Sequence, residues 1–506
     1  MSRMPPRTLL VTTVPLTALL AGCLSVPAPP DNIAARHVGT PGEFAELAAG
    51  ANATSTDVGA SWLSDLGNPT LEALVREAWV NNPDLYVTAA RFEEAAANLR
   101  IVASFLYPQV AGSGGARHTN FDDGSTDEDE YFAALQVSWE ADLWGRLRAD
   151  ESAAHRVAES AGLDFVQARH SLAAAVAQAY FAIVIAKQQL AIDRLLLEAE
   201  KFTAVTTSQR VEAGLLTTLD RDLAESSVRL AEAAVRNDLA ALQEARRALE
   251  LLLGRYPSAE LDAAPEVLPG ISPAPFAVGV PAELLERRPD VRSIERLVDA
   301  AYYDVRSARA ARLPRLILTA DARTLIDPSD FITSVAADIL APLFQGGRLQ
   351  AQEAAANARQ RQAIGQFASV ALRAFREVET ALSNARFLEE RERSLAEASE
   401  RLQRASEAAI NRYDQGLMTI LDLQQIRRQD YDTRSLLLGV RFEQIRQRLN
   451  LYLALGGPPL PDGAAPPVPL NGQFADPNDA PVSGDLHVGV PVEPKPDPTR
   501  RSDNGG

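Results

Sequence analysis

The sequence predicts a mainly α-helical fold with a small β-sheet component, built from two similar halves. Two proline-free segments of 68 residues, 146–213 and 348–415, are each followed by a glycine, Gly214 or Gly416. After 39 further residues each half carries another glycine, and every matched position is offset by 202. Self-similarity at a fixed offset indicates an internal repeat. Since an α-helix rises about 1.5 Å per residue, each segment predicts a rod of roughly 100 Å with a returning arm.

Composition and charge narrow the classes of function. The formal charge of −17 argues against a nucleic-acid partner, which requires a basic surface. A single cysteine, Cys23, excludes a disulfide framework within the chain and a cysteine-rich zinc cluster. The histidines lie far apart, and no metal-ligand spacing, phosphate-binding loop or Gly-x-Ser-x-Gly elbow occurs. We therefore expect neither an enzyme nor a metal or cofactor site.

The N-terminus has the composition of a bacterial secretion signal. Arg3 and Arg7 precede the apolar stretch Leu9–Leu20, and small residues separate that stretch from Cys23. The tetrapeptide Leu-Ala-Gly-Cys that ends at Cys23 resembles the bacterial lipobox, which implies removal of residues 1–22 as a signal peptide and covalent lipid on Cys23. Several acyl chains anchor a protein far more firmly than one. The alternative is an ordinary cleavage site followed by an incidental cysteine.

Residues 23–61 are small and polar with several prolines, which is typical of a tether between the lipid and the folded part. The first repeat, residues 62–253, then shows apolar residues at helical spacing, among them Leu71. Pro83 predicts the start of the next helix, since proline suits the first helical position. This helix is expected to end before Pro108, because the residue preceding a proline disfavours the α conformation.

Each half contains a pair of short alternating segments that predicts a β-hairpin. The hairpins are expected at about 108–143 and about 314–344, where apolar and polar residues alternate and aromatic residues are frequent. The strands are predicted at Gln109–Arg117, Tyr131–Leu143, Arg315–Thr324 and Phe331–Phe344. The acidic residues of the loop at 118–130 are expected to remain solvated.

Proline and glycine content separates the remaining segments. Residues 254–288 carry six prolines and predict an extended linker between the halves. The second repeat, residues 289–457, has the same order of helix, hairpin, rod and returning arm as the first. Residues 458–506 are rich in Pro, Gly, Asp and Asn, which predicts a disordered tail.

Four strands per chain raise the question of what closes the sheet. Unsatisfied backbone groups at an edge in hydrocarbon cost several kcal/mol each, so four strands alone cannot form a barrel in lipid. Three copies of the chain would supply twelve strands, an even number that outer-membrane barrels permit. Aromatic residues near the hairpin ends, such as Tyr107, Trp139 and Phe344, favour this interpretation. The alternative is a small soluble sheet packed on the rods.

Four motifs of the chain are the lipobox-like tetrapeptide, Asp142-Leu-Trp-Gly-Arg-Leu147, Gly279-Val-Pro-Ala-Glu-Leu-Leu-Glu-Arg-Arg-Pro-Asp290 and Pro342-Leu-Phe-Gln-Gly-Gly-Arg-Leu349. Together they resemble motifs of the TolC-like outer-membrane factors, in the lipoprotein branch that serves resistance–nodulation–division (RND) efflux pumps. The resemblance covers residues 60–457. It implies a homotrimer whose twelve-stranded β-barrel lies in the outer membrane and continues as a long α-helical barrel into the periplasm.

The same resemblance implies the exit duct of a tripartite pump that exports small molecules such as drugs. The implied partners are a periplasmic membrane-fusion adaptor, an inner-membrane RND pump and outer-membrane lipids. Two alternatives are a structural coiled-coil lipoprotein of the periplasm and a type I protein-secretion duct of the same architecture. The duplicated hairpins argue against a scaffold, which does not need them. The lipobox and the Gly279–Asp290 motif favour the small-molecule branch.

The turns at the ends of the rods would be the periplasmic tips of such a duct. Thr217 with Asp220, and Thr419 with Asp422, have the spacing of capping boxes at the start of a helix. The resemblance implies in addition that the tip residues dock the adaptor. These residues are Gly214, Leu215, Thr217, Gly416, Leu417 and Thr419.

The tips would also narrow the channel. In a trimer, Asp422 would form a ring of carboxylates and Leu421 an apolar ring, with Asp220 at the matching position of the first repeat. Rings of this kind control permeation through charge and dewetting. Gln425 stands where some relatives carry another acid, which argues against a double acidic ring.

Overall fold

The computed structural model describes residues 27–30, 39–48, 53–54, 68–119, 128–262, 264–265, 268, 276–277, 279–325 and 331–457. Its helices are α1 (Ala45–Ala48), α2 (Pro69–Asn81), α3 (Pro83–Ser104), α4 (Arg146–Glu212), α5 (Thr218–Leu252), α6 (Pro281–Arg287), α7 (Pro289–Ala310), α8 (Arg348–Asp414) and α9 (Ile420–Ala454). Its strands are β1 (Ala53–Thr54), β2 (Gln109–Thr119), β3 (Glu128–Ala141), β4 (Phe276–Ala277), β5 (Arg315–Leu325) and β6 (Phe331–Leu340). The described protein is therefore mainly α-helical with a small β component, as predicted. The predicted signal peptide, Cys23 and the tail 458–506 lie outside these residues.

Corresponding helices of the two halves have equal lengths. The long helices α4 and α8 each have 67 residues, the returning arms α5 and α9 have 35, and the shorter helices α3 and α7 have 22. Both long helices begin at the predicted residue and end one residue before the predicted end. Their content of Ala, Leu, Glu, Arg and Gln accounts for this, since these residues have high helix propensity.

In each half the returning arm ends against the start of a shorter helix. Asn82 Nδ2 donates to the carbonyl oxygen of Leu252 at the end of α5 (2.9 Å), and Asn82 Oδ1 caps α3 by accepting from Leu85 N (3.0 Å). At the corresponding place in the second half, Arg288 Nη1 donates to the carbonyl oxygen of Ala454 at the end of α9 (3.0 Å). The pairs α5–α3 and α9–α7 therefore meet end to end, beside α4 and α8 respectively.

Two glycines permit this close approach of the helix ends. Gly254 and Gly456 have φ angles of 71° and 90°. A Cβ on Gly254 would lie 2.3 Å from the carbonyl oxygen of Asn81, and a Cβ on Gly456 would lie 3.1 Å from backbone atoms of Arg287 and Arg288. A side chain at either position would separate the two ends.

Arg288 connects the second of these joints to the long helix α8. Its Nε and Nη2 donate to the two carboxylate oxygens of Asp290 at 2.9 and 2.8 Å, and its Nη1 lies 2.8 Å from Glu377 of α8. The residue is 5% exposed, so the paired carboxylates offset the cost of burying its charge. The motif Gly279–Asp290 thus ends in an ionic contact between a buried arginine and two partly exposed carboxylates, which fixes α7 against α8 and α9.

The apolar core follows the long helices. One cluster surrounds the middle of α4 and joins it to α2, α3 and α5, and a second cluster lies between α7 and α8. A window of 18 residues in α4 is apolar enough to cross a membrane, with a mean hydropathy of 1.3, and half of it is buried inside the chain. Since Val176, Tyr180 and Ile183 of α4 lie in the first cluster, core packing accounts for this apolarity.

The two predicted hairpins join into one antiparallel sheet of four strands in the order β2-β3-β5-β6. The strand bounds differ from the prediction. Backbone pairing of His118 with Asp129 extends β2 and β3 into the predicted loop. β3 ends at Ala141, which pairs with Leu316, and the carboxylate of the next residue, Asp142, accepts from Leu147 N at the start of α4 (3.1 Å). β6 ends at Leu340, two residues before Pro342, which has no N–H for the ladder.

The predicted tether and linker contain more structure than their composition suggested. In the tether, Phe44 is 1% exposed and packs on the cluster between α7 and α8, and Glu379 of α8 accepts from the backbone N of Ala45 (2.6 Å) and Glu46 (3.0 Å). β1 of the tether pairs in parallel with β4 of the linker. The linker also contains α6, because Pro281 occupies its first turn and Leu284 is buried. The tether is therefore attached along α8 as well as to the linker.

Candidate functional site: the helical tips and the two-faced sheet

Both long helices end in the same hydrogen-bonded turn. After α4, Leu215 N donates to Arg210 O (2.8 Å) and Gly214 N donates to Val211 O (2.9 Å). Residues 412–417 repeat these bonds after α8. This is the Schellman motif, which needs a left-handed residue after the helix, and Gly214 has a φ of 71°. The glycines thus reverse the chain at the positions that the sequence predicts.

The helix that follows each turn is capped by threonine, as predicted. Thr217 Oγ1 accepts from Asp220 N (3.4 Å), and Asp220 Oδ2 accepts from Thr217 N (2.9 Å) and Oγ1 (2.6 Å), which completes a capping box. Thr419 Oγ1 accepts from Asp422 N (3.2 Å) and donates to Asp422 Oδ2 (2.7 Å). The hydrogen bonds from Thr217 lower the pKa of the Asp220 carboxyl. Each tip therefore holds an ordered carboxylate.

Four leucines at the two tips are exposed although leucine usually lies in a core. They form two pairs that are 202 positions apart in the sequence, and their exposed fractions are 73% for Leu215, 64% for Leu219, 67% for Leu417 and 56% for Leu421. Exposed apolar side chains that are grouped together mark interaction sites more often than scattered ones do. Each tip thus carries an apolar pair beside a capped carboxylate.

A direct contact between the two tips was not evident from the sequence. The hydroxyls of Thr207 and Tyr413 lie 2.8 Å apart, and both residues are buried. Arg210 donates to the carbonyl oxygens of Tyr413 (3.1 Å) and Asp414 (3.2 Å), and its guanidinium lies 4.8 Å from the centre of the Tyr413 ring. The only sequence signal is the difference between Tyr413 and Val211 at the matched position.

A second buried contact holds α9 against α4 further from the turn. Arg427 Nη1 donates to Thr203 Oγ1 (2.6 Å) and to the carbonyl oxygen of Ala199 (3.2 Å), and it lies 4.0 Å from the Glu200 carboxylate. Burial raises the pKa of Glu200, against the opposing effect of Arg427 and Arg428. The two helical hairpins are therefore joined at more than one level.

The four-stranded sheet has one largely apolar face and one polar face, and the polar face also carries Ile317, Ile332 and Leu340. The register places Val137 beside Ala320 and Trp139 beside Leu318, while Ser138 lies beside Thr319 on the other face. The described apolar face includes Val110, Leu135, Val137, Trp139, Leu316, Leu318, Val335 and Ile339. The polar face includes Gln109, Ser113, Gln136, Ser138, Asp321, Arg323, Ser334 and Asp338. This alternation is the pattern of a strand between lipid and water.

Aromatic side chains lie where the sheet meets the helices. Trp139 Nε1 donates to the carbonyl oxygen of Leu106 (3.0 Å), and Trp144 Nε1 donates to that of Pro314 (2.6 Å). Phe344 is 90% exposed at the end of the second hairpin. Aromatic residues are enriched at the borders of outer-membrane barrels.

Among the described strands, β2 and β6 form the two edges of the sheet, and each pairs on one side only. Among the described residues no group of three or more His, Cys, Asp or Glu side chains is arranged to hold a metal ion. The predicted lipidation residue, Cys23, lies outside the described part. The structure brings the predicted tip residues together in two turns, one after α4 and one after α8.

Comparisons with known proteins agree with this arrangement. The family described as outer membrane efflux protein matches residues 74–255 and 280–457. The pyoverdine export outer membrane protein OpmQ of Pseudomonas aeruginosa is 30% identical over 462 residues, which cover 87% of this chain and 94% of OpmQ. The cation efflux system protein CusC of Escherichia coli is 31% identical over 425 residues, which cover 80% and 90%. The solved structure of the outer-membrane channel OprN superposes with a TM-score of 0.77 at 27% identity, covering 86% of this chain and 98% of OprN.

Proposed function

From the membership of this chain in the outer membrane efflux protein family, we propose that three copies of it form the exit duct of a tripartite efflux pump. The protein is an outer-membrane efflux channel that extends into the periplasm, and it is not an enzyme. The proposal adds the trimer, its closed barrel, the lipid anchor, the roles of the tip residues and the partners. The observation that carries it is the two-faced sheet with two open edges.

Closure of the sheet argues for three copies. The free edges β2 and β6 would each expose unpaired backbone groups in lipid, and each such group costs several kcal/mol. Pairing of β6 with β2 of the next copy removes both edges, and three copies give twelve antiparallel strands. The apolar face would then contact lipid and the polar face would line the lumen.

The long helices would form the periplasmic wall of the duct. In each half, two shorter helices meet end to end beside a 67-residue helix. The long helix therefore has a helical neighbour on both sides of the point where the shorter helices meet. At about 1.5 Å per residue the long helices run roughly 100 Å. The matched lengths let both halves of every copy end at a common tip.

The tips would carry the gate and the docking surface. In the trimer, Asp422 would form a ring of carboxylates and Leu421 an apolar ring, with Asp220 in the matching turn of the first repeat. The exposed leucines Leu215 and Leu417 would dock a periplasmic membrane-fusion adaptor, with Gly214, Thr217, Gly416 and Thr419 fixing the turns that present them. The adaptor would connect the duct to an RND pump in the inner membrane.

Lipid on Cys23 would anchor the chain in the outer membrane after removal of residues 1–22. The support for this step is the lipobox-like sequence and the docking of Phe44 on the α7–α8 cluster, which leads the segment along the helical wall. Mass spectrometry of the purified N-terminal peptide would detect the acyl chains. A peptide that retains residues 1–22, or begins at another residue, would contradict the lipid anchor.

The cargo class would be small molecules such as drugs, in accordance with the export names of the relatives. Deletion of the gene should sensitise cells to toxic compounds, and the wild-type chain should restore resistance. Restoration of the secretion of a protein substrate, without any change in drug susceptibility, would favour a type I secretion duct.

Electron microscopy of the purified protein tests the assembly. We expect a three-fold tube that conducts ions when it is reconstituted in planar bilayers. Cysteine at Gln109 of β2, scanned against cysteines at 336–340 of β6, should give covalent trimers, whereas cysteine at Gln109 alone serves as the control. A monomer without conductance would instead support a structural coiled-coil lipoprotein.

A further inference from the structure

A cleft of about 680 Å³ lies where the four-stranded sheet meets the helices. The end of α3, the start of α4 and the middle of α7 form its walls, and β2 and β3 close one end. Its apolar lining includes Val102, Phe105, Tyr107, Trp139, Leu147 and Val157. This volume falls within the range of about 300–1,000 Å³ that small-molecule sites occupy, and a mostly apolar lining with few polar groups is typical of them.

The charged groups of the cleft are mainly acidic, and Gln109 and Ser138 are its neutral polar groups. Glu140, Asp150 and Asp304 line it together with a single cation, Arg146. The guanidinium of Arg146 is already engaged, because it lies 3.0 Å from both Glu140 oxygens and 3.1 Å from Asp150 Oδ2. Within the described residues no Lys or Arg nitrogen lies within 4.0 Å of the Asp304 carboxylate. Burial and the charge of Asp150 raise the pKa of the Asp304 carboxyl, while the charge of Arg359 acts in the opposite direction. The side chains that line the cleft therefore include three acids and one cation, and Arg315, which is not among them, lies 3.8 Å from Glu140 Oε2.

The environment of Asp150 agrees with this excess of acidic groups. Burial raises the pKa of its carboxyl, while the hydrogen bond from Ser307 and the charge of Arg146 act in the opposite direction. The nearby carboxylates of Asp142 and Glu140 raise this pKa further. A positive ligand in the cleft would relieve this repulsion, whereas an anion would increase it.

We propose that this cleft binds a small amphipathic organic cation, with its apolar body against the aromatic residues and its charge beside Asp304 and Asp150. The ring faces of Trp139 and Tyr107 add an attraction for a cation placed over them. The proposal that the purified protein binds such a cation depends only on the geometry of the cleft. The further statement that such cations are cargo passing this junction rests on the proposed export function.

Two ions of nearly the same shape and opposite charge test the proposal. Binding of tetraphenylphosphonium and of tetraphenylborate to the full mature protein in amphipol would be measured by equilibrium dialysis. We expect saturable binding of the cation and none of the anion. Asp304→Asn should weaken cation binding about two- to five-fold, as expected for the loss of one partly solvated ion pair. Asp304→Lys should abolish it.

Glu94→Gln provides the matched control, since it removes one exposed carboxylate from α3 outside the cleft. This variant should bind the cation as the wild type does. Circular dichroism and particle mass would establish that each variant folds and assembles. If Asp304→Lys fails to fold or assemble, the binding measured for Asp304→Asn tests the proposal. Equal binding of both ions, or unchanged cation binding in Asp304→Asn, would overturn the proposal.

The outcome also separates this inference from the proposed function. A conducting trimer that does not bind tetraphenylphosphonium would overturn the cleft and leave the duct intact. Charge-dependent binding by a protein that forms neither a trimer nor a pore would support the cleft and overturn the duct.

Discussion

Removal of either hydroxyl from the contact between Thr207 and Tyr413 should open the periplasmic tip. The two oxygens lie 2.8 Å apart, Thr207 is 0% exposed and Tyr413 is 4% exposed. Tyr413→Phe keeps the ring on which Arg210 lies, and Thr207→Val keeps the volume of the side chain. Each change therefore removes a hydrogen bond with little effect on packing.

The size of the effect follows from the burial of both hydroxyls. A single substitution leaves the partner hydroxyl buried without a hydrogen bond, which costs about 1–3 kcal/mol. If the contact exists only while the tips are together, this cost falls on the closed state and raises the open-to-closed ratio about 5- to 150-fold. The double variant leaves no unpaired hydroxyl, so its effect should be smaller than the sum of the single effects.

Single-channel recording in planar bilayers measures this ratio as the open probability. Both single variants should raise it, and cells carrying them should become more sensitive to an antibiotic that is too large for ordinary porins. Tyr256→Phe is the matched control, because Tyr256 is 84% exposed. An unchanged open probability in Tyr413→Phe, or strict additivity in the double variant, would refute the assignment of this contact to the closed state.

Further predictions concern the gate, the joint and the pH dependence of stability. Asp422→Ala should raise single-channel conductance, and the gate role fails if conductance and antibiotic leakage both stay unchanged. Gly254→Ala should lower the melting temperature, because its Cβ would lie 2.3 Å from a backbone oxygen and its φ is 71°. Gly365→Ala, with no atom within 4 Å of its Cβ inside α8, should instead stabilise by about 1 kcal/mol. Burial and the neighbouring Asp193 raise the pKa of Asp238 from 3.8 to about 7. The folded state then binds more protons than the unfolded state between these values, so stability should fall as pH rises from 4 to 7. Asp238→Asn should flatten this dependence of the melting temperature, and a pH profile identical to that of the wild type would contradict the shift.

The tip illustrates how local sequence determines part of a site. Gly214 reverses the chain because only a residue that tolerates positive φ completes the Schellman turn, and Thr217 begins the next helix through bonds to residues three positions away. These interactions span few residues, so their sequence spacing alone predicts them. The hydrogen bond between Thr207 and Tyr413 joins residues 206 positions apart. A periodic sequence pattern does not predict a contact of this kind.

The same distinction applies to the sheet and to the bounds of its strands. Alternation predicts the hairpins, yet the pairing of β3 with β5 joins residues of different halves. The prolines of the linker predict an extended segment, whereas the structure contains a short helix there, which begins at Pro281 and buries Leu284. Burial against a distant element decided that outcome.

By itself the sequence determined the long helices, the turning glycines, the threonine caps and the resemblance to the family, because each depends on residues within a few helical turns. Only the tertiary structure decided that the two hairpins share one sheet with an apolar and a polar face. It also decided that Gly254 and Gly456 allow two pairs of helix ends to meet and that Arg210 and Tyr413 hold the tips together. A cleft with an apolar lining and several acidic side chains, next to the sheet, is likewise a result of the tertiary structure. These features depend on contacts between distant residues, which burial and charge select only when the whole chain has folded.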